Sequence, residues 1–256
     1  SPSKEAFWET LLVGEPAFSP SSRGGANTCA PGGYIHDISP KQALENVTFS
    51  ALRGQTANSR TGVVLAELSF PEATDYEIVE PVYQNVSSEK EDQARLSASY
   101  CSGLADKVGA GGFRVSLDAA CASAIYALQV AQHALWDGTA DMMLCGGVSM
   151  SDPVFLESGF GAFGALSSSS NGARPFDRTS DGLTVGDGVA MFVLKRVEDA
   201  QRDGDTILGV IHAIQTNNAG KGGALRPDKD AEICCMQIEH APFPEYVECH
   251  ATGTPV

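Results

Sequence analysis

The chain has 256 residues, 43% hydrophobic and 19% charged, the ordinary mix of a folded globular protein and enough for one large domain or two small ones. A formal net charge of −15 argues against nucleic acid or an anionic membrane surface as a partner. The longest apolar run, residues 189–194, is far too short for a membrane span, and the start shows no secretion signal, so a cytoplasmic location is expected.

The predicted elements interleave along the chain. Residues 2–12 read as a short amphipathic helix with Phe7, Trp8, Leu11 and Leu12 on one side, and residues 15–33 as a Pro-, Ser- and Gly-rich loop. Residues 61–69 are a buried strand, 72–91 a carboxylate-rich solvated excursion, and 94–108 a helix stopped at Gly109. A short strand over 113–117 leads into a helix over 122–136, which ends at Gly138. That helix carries only a narrow polar stripe, Ser123, Tyr126, Gln129 and Gln132, with His133 beside it, so it is expected to be buried on most sides. Further strands are expected over 141–148, 187–196, 207–214 and 246–249, and helices over 197–202 and 229–238. Such alternation predicts a layered α/β architecture.

The seven cysteines are odd in number and contain no Cys-x-x-Cys pair, which argues against a disulfide framework and against a zinc site; no metal is expected. Reduced thiols fit a cytosolic enzyme, and the adjacent Cys234 and Cys235 read as packing residues. Cys121 differs from the rest. It sits at the strand-to-helix junction of Ser116-Leu-Asp118-Ala-Ala-Cys121-Ala-Ser123, where unpaired N–H groups and the positive end of a helix dipole favour a thiolate. A plain core cysteine is the alternative there. Gly159-Phe-Gly-Ala-Phe-Gly164 matches the spacing of a dinucleotide fingerprint, but Asp152-Pro153 stands upstream and a serine-rich loop follows, so a nicotinamide cofactor is not expected.

The chain closes on Glu248-Cys-His250-Ala-Thr252-Gly-Thr254-Pro. Together with Asp118-Ala-Ala-Cys121 and the intervening Arg174-Pro-Phe-Asp177…Asp181-Gly…Gly186-Asp187-Gly188, it resembles the β-ketoacyl synthase (ketosynthase) family. The resemblance covers residues 60–256 well and 4–38 loosely, and makes the whole chain, 1–256, the N-terminal portion of one ketosynthase domain. It implies a thiolase-like fold, layered α-β-α-β-α, of which mainly the N-terminal half is here. It also implies decarboxylative condensation of a cysteine-bound acyl group with a malonyl unit. Cys121 matches the nucleophile, and His250 matches the first of two histidines that stabilise the enolate. Thr252 and Thr254 match positions whose hydroxyls bind the pantetheine arm, with loop structure as the equal alternative. Phe160 or Phe163 would line the acyl pocket or belong to the core, and Asp177, Asp181 and Asp187 would fix loops near the site.

No cofactor is implied beyond the phosphopantetheine of an acyl carrier protein, which is the expected partner beside the other domains of a multidomain synthase. Carrier proteins are acidic, so docking would use a basic patch, for which Arg174, Arg178, Lys195, Arg196 and Arg202 are the candidates. The resemblance also implies a homodimer paired through 113–117. Ala120-Cys121-Ala122 and residues 64–71 look closest to polyunsaturated fatty acid synthases and iterative polyketide synthases. Two departures stand out: the family's first strand is absent, and the helix usual between residues 38 and 60 is expected to be missing or reduced. The family's lysine motif and second histidine lie beyond Val256, so these residues alone are expected not to condense. A non-catalytic, chain-length-factor-like or truncated partner is the main alternative, which the presence of Cys121 disfavours. A Cys–His hydrolase would need a third group to orient His250, and none is evident.

Overall fold

The structure, a computed structural model, describes residues 4–13, 18–19, 32–68, 100–169, 172–220, 228–238 and 243–254. The acidic excursion at 72–91, residues 94–99 of an expected helix and most of the loop at 15–33 lie outside these residues. The elements are α1 (Lys4–Val13), α2 (Pro40–Leu52), β1 (Thr61–Glu67), α3 (Tyr100–Val108), β2 (Arg114–Leu117), a 3₁₀ turn (Ala120–Ala122), α4 (Ser123–Trp136), β3 (Met142–Ser149), α5 (Pro153–Ala162), β4 (Gly188–Leu194), α6 (Val197–Asp203) and α7 (Lys229–Met236).

The four strands among the described residues form one sheet in the order β2-β1-β3-β4. β1 is parallel to both β2 and β3, with Val64 opposite Val115 and Cys145, and β4 returns antiparallel to β3. β1 and β3 are apolar almost end to end because both their faces are covered, as central parallel strands require. Successive side chains go to opposite faces. Val63, Leu65, Met142 and Leu144 pack with Leu44, Leu52 and Leu104 of α2 and α3. Val64, Met143 and Cys145 pack with Ala127, Ala131 and Ala134 of α4. The alanines let α4 lie close to the sheet.

The helix expected to be missing between 38 and 60 is present, with 13 residues. Its signal is a complete capping box. Ser39 Oγ accepts from the Gln42 N–H at 3.2 Å and the Gln42 side chain accepts from the Ser39 N–H at 3.2 Å, with Pro40 in the first turn. Buried Leu44, Thr48 and Leu52 recur at the helical period, so the segment covers the sheet rather than looping past it.

Two expected strands do not form. Residues 207–214 and 246–249 are irregular, with Leu208 78% and Val247 61% exposed. An apolar run becomes a strand only where a neighbour takes up its N–H and C=O groups. Here neither segment pairs with a strand of the sheet, whose last strand on that side is β4. α4 is likewise less enclosed than its composition suggests: its sheet-facing residues are buried, while Ile125 and Trp136 are 48% and 66% exposed. On α1, Trp8, Leu11 and Leu12 are exposed.

The end of α4 is held by charge. Arg196 Nη1 donates to the carbonyls of Leu135 (2.7 Å) and Ala140 (2.9 Å), and Arg60 Nη2 donates to that of Gly138 (2.5 Å). Both guanidiniums also pair with Asp141, and Arg196 continues through Asp199 to Arg202. Hydrogen bonds from Arg60 and then Arg196 hold the Asp141 carboxyl well below its ordinary value, and Arg202 and Lys195 hold Asp203 down to about 2. Carboxylates depressed in the folded state stabilise it above their unfolded pKa, near 3.9, and lose that contribution as pH falls through the folded values. Thermal unfolding is therefore expected to be flat from pH 7 to about 5 and to drop between about pH 4 and 2. Asp141→Asn should lower the melting temperature at pH 7 and make the acid slope shallower; an unchanged slope would show that the network contributes nothing.

Candidate active site

Cys121 lies in the 3₁₀ turn between β2 and α4. Three polar contacts build that turn. The Ala120 N–H donates to Asp118 Oδ1 (2.9 Å), the Ala119 N–H donates to Ser123 Oγ (2.8 Å), and Ser123 Oγ donates to the Ala120 carbonyl (2.6 Å). Ala120 is thereby held left-handed, at φ 51°. Strain of this kind persists only where the surroundings over-determine it. A sharp strand-to-helix turn of this type presents its side chain outward, and Cys121 is exposed. α4 starts at Ser123, one residue later than expected, with the turn continuing into it.

The other thiols divide cleanly. Cys101 and Cys145 are buried, and desolvation pushes them up to about 11, with the Glu67 charge adding to Cys101, and to about 12. Cys235 is half-buried and donates to the Gln215 carbonyl at 3.2 Å, while Cys234 and Cys249 are exposed. Cys29 lies outside the described residues. Limited iodoacetamide at pH 7 followed by peptide mapping is expected to modify Cys121 first and to leave Cys101 and Cys145 unmodified. Preferential labelling of Cys234, Cys235 or Cys249 would contradict the assignment of Cys121.

His250 is exposed on an irregular segment, with Thr252 and Thr254 half-buried beyond it. The two threonine hydroxyls lie 3.0 Å apart and hydrogen-bond each other, the loop-structure alternative in physical form; two hydroxyls still keep acceptor capacity for a ligand. Between them Gly253 is left-handed (φ 79°), and a Cβ there would lie 2.7 Å from Ser180 Oγ and 3.0 Å from the Gly182 carbonyl. The histidine loop thus rests on the aspartate block. That block rests in turn on the segment after α5, where the Ser167 N–H donates to the Leu183 carbonyl (2.9 Å) and the Leu183 N–H to that of Ala165 (2.8 Å).

The three aspartates fix loops, as expected. Asp177 accepts from the Thr179 N–H (2.7 Å), Asp181 from both Ser167 and Ser168, and Asp187 from the Ile35 N–H (2.8 Å). Hydrogen bonds from Ser167 and Ser168 pull Asp181 down to about 2. Phe160, on α5, is half-buried against Tyr34, Leu156 and Val185, whereas Phe163 is 72% exposed. Gly159 to Ala162 belong to the last turn of α5, so the dinucleotide fingerprint lacks its strand–turn–helix setting. Asp152-Pro153, which reads as interrupting structure, is the helix start: Asp152 Oδ1 caps the Phe155 N–H at 2.8 Å.

Phe160, the aspartate block and His250–Thr254 are therefore linked by continuous contacts, while Cys121 is carried separately by β2 and α4. An open groove of about 270 Å³ lined by Phe113, His133, Asp137 and Thr139 lies at the far end of α4 from Cys121. The expected basic patch does not stand free. Lys195 is taken up by Asp203 and Asp205, Arg196 by Asp141 and Asp199, and Arg202 by Asp199 and Asp203. Arg174 donates to the Thr179 carbonyl at 2.8 Å, and Arg178 is exposed.

The turn between β2 and α4, the sheet and the order of the motifs are those of a ketosynthase-type, thiolase-like fold. The chain belongs to the β-ketoacyl synthase family: the profile of the β-ketoacyl synthase N-terminal domain matches residues 26–200, which include Cys121 and stop short of His250. Among curated relatives, a polyunsaturated fatty acid synthase polypeptide of Thraustochytrium sp. is 42% identical over 160 residues, covering 59% of this chain and 8% of that protein. The non-reducing polyketide synthase VdtA of Byssochlamys spectabilis is 38% identical over 146 residues, covering 54% of this chain and 6% of that protein. The chain thus spans under a tenth of either relative. Among solved structures, the PfaC ketosynthase–chain length factor superposes with a TM-score of 0.70 at 32% identity, covering 81% of this chain and 29% of that one. The type II polyketide ketosynthase AntDE, solved with its acyl carrier protein AntF, superposes at 0.64 with 21% identity over 79% of this chain and 56% of that one, a likeness of fold alone.

Proposed function

We propose that the chain is the nucleophile-bearing part of a ketosynthase in fatty acid or polyketide synthesis. The observation that carries this reading is Cys121, exposed on a left-handed turn at the start of α4 inside the family-matched region. The Cys121 thiolate attacks an acyl thioester; an S–C bond forms, the carrier thiol leaves, and the proton given up by Cys121 ends on it. A malonyl thioester then loses CO₂, and the resulting enolate carbon attacks the Cys121 acyl carbonyl. A C–C bond forms, the S–C bond breaks, and the thiolate returns. The backbone N–H of Cys121 contributes to the oxyanion hole, and His250 donates to the enolate oxygen.

Thr252 and Thr254 are assigned to the pantetheine arm of an acyl carrier protein and Phe160 to the acyl chain. The chemistry as written uses no metal and no redox cofactor. Of the five basic residues expected to dock the carrier, Lys195, Arg196 and Arg202 are ion-paired within the chain, and we assign the contact to Arg174 and Arg178. We place the protein in the cytoplasm, within a multidomain synthase. β2 is an outer strand of the sheet, with alternating exposed and half-buried residues, and we assign it to a homodimer contact that removes the open edge. Light scattering of the intact protein should give the dimer mass; a stable monomer overturns that assignment. The chain-length factor named with the PfaC ketosynthase keeps a non-catalytic partner as the second reading.

The reaction is tested with the intact protein, an acyl thioester and a malonyl thioester. Acylation of the Cys121 peptide, CO₂ release and a β-ketoacyl product are expected. Acylation followed by hydrolysis alone would make it a hydrolase, and no acylation at all would favour the partner reading.

A further inference from the structure

We propose that Ser180 is a positioning residue for His250: its hydroxyl, hydrogen-bonded to the Gly253 carbonyl, sets the height of the histidine loop over the reacting thioester. The inference rests on the ketosynthase reading above and adds to it a residue outside the three motifs' chemistry.

Ser180 Oγ donates to the Gly253 carbonyl at 2.8 Å, across 73 positions of sequence. Gly253 has no side chain and is left-handed, so the loop approaches Ser180 more closely than any other residue would allow. The donor is itself held. The Ser180 N–H donates to the Asp177 carbonyl at 3.1 Å, closing a turn. The next residue, Asp181, accepts from Ser167 Oγ (2.6 Å), the Ser168 N–H (3.0 Å) and Ser168 Oγ (2.6 Å). Gly182 completes the wedge, because a Cβ there would collide with the backbone of Leu166 and Ser167. Three consecutive residues therefore brace the histidine loop on one side and the segment leading from Phe160 on the other. His250 is three residues from the braced carbonyl, is exposed, and lies on irregular backbone, so no ladder or helix fixes its place. In such a setting a tertiary hydrogen bond decides the geometry, and displacements near 1 Å cost rate steeply.

The test compares Ser180→Ala with Ser180→Thr in the intact protein, by hydrogen exchange and by separate half-reactions. Ser180→Ala should speed exchange in peptides covering 248–254 by roughly tenfold, the worth of one hydrogen bond, with peptides from β1 and β3 unchanged. It should also slow condensation by roughly tenfold while acylation of Cys121 keeps its wild-type rate. Ser180→Thr, which keeps the hydroxyl, should restore both. Unchanged exchange at 248–254, a uniform rise across the sheet, or equal losses in both half-reactions would overturn the proposal. Exchange that changes as expected in a protein whose wild type does not condense would keep the brace and overturn the ketosynthase reading instead.

Discussion

Cys121→Ala is expected to lower acyl transfer by on the order of 10⁴-fold or more, the scale on which losing a covalent nucleophile is felt. On the proposed reading the variant removes the sulfur that takes up the acyl group and leaves the turn's own contacts in place. Cys121 is exposed, and the turn that carries it is held by Asp118 and Ser123, not by its sulfur. Unfolding free energy should therefore stay within about 0.5 kcal/mol of wild type. Intact-protein mass after incubation with an acyl thioester reads the first quantity, and urea denaturation reads the second. An alanine variant that still acylates would place the nucleophile at another thiol, with exposed Cys234 and Cys249 the residues to map next.

The second large effect is on stability, at Gly146. This residue is in the middle of β3, opposite Leu65 of β1 on one side and Met191 of β4 on the other. A methyl group there would collide with the Ala190 carbonyl and lie 2.9 Å from Met191 Cα, so backbone rather than a pliable side chain must move. Gly146→Ala is expected to cost about 3 kcal/mol, with the β3–β4 ladder the part that yields. The same substitution at Gly103, inside α3 and with open space around it, should stabilise by about 0.5–1 kcal/mol by reducing backbone freedom in the unfolded chain. Paired denaturant curves check both signs. Equal effects at the two positions would show that glycine removal as such, and not the close approach of β4, dominates.

Pattern and structure part company for one physical reason. The strand at 61–67, the β2–turn–α4 unit and the strand at 142–149 are legible because continuous apolar runs and a Gly stop coincide there with elements that the sheet completes. Helix α2, expected to be missing or reduced, forms because the capping box at Ser39-Pro40-Lys41-Gln42 starts it and the sheet takes up its Leu44 and Leu52 face. Residues 207–214 have the same apolar pattern as β1, yet no ladder reaches them. Asp152-Pro153 reads as a break and is a cap. Periodicity states what a segment can bury; hydrogen-bonding partners state whether it becomes a strand.

For the site, the sequence by itself determined which groups are the candidates. The identity of Cys121, its place after a short strand, and the order of the three motifs are properties of the chain read in one dimension. The tertiary structure decided what holds those groups. Nothing local in residues 174–182 shows that Ser180 reaches Gly253 across 73 positions, or that Asp181 gathers Ser167 and Ser168. Nor does composition show that Lys195, Arg196 and Arg202, which read as a docking patch, are bound to aspartates on and beside α6 and, for Arg196, to Asp141 after α4. A charge written in a sequence is a capacity for interaction. Which partner takes it up depends on distances of a few ångströms, and those exist only once the sheet has brought residues 60, 141 and 196 together.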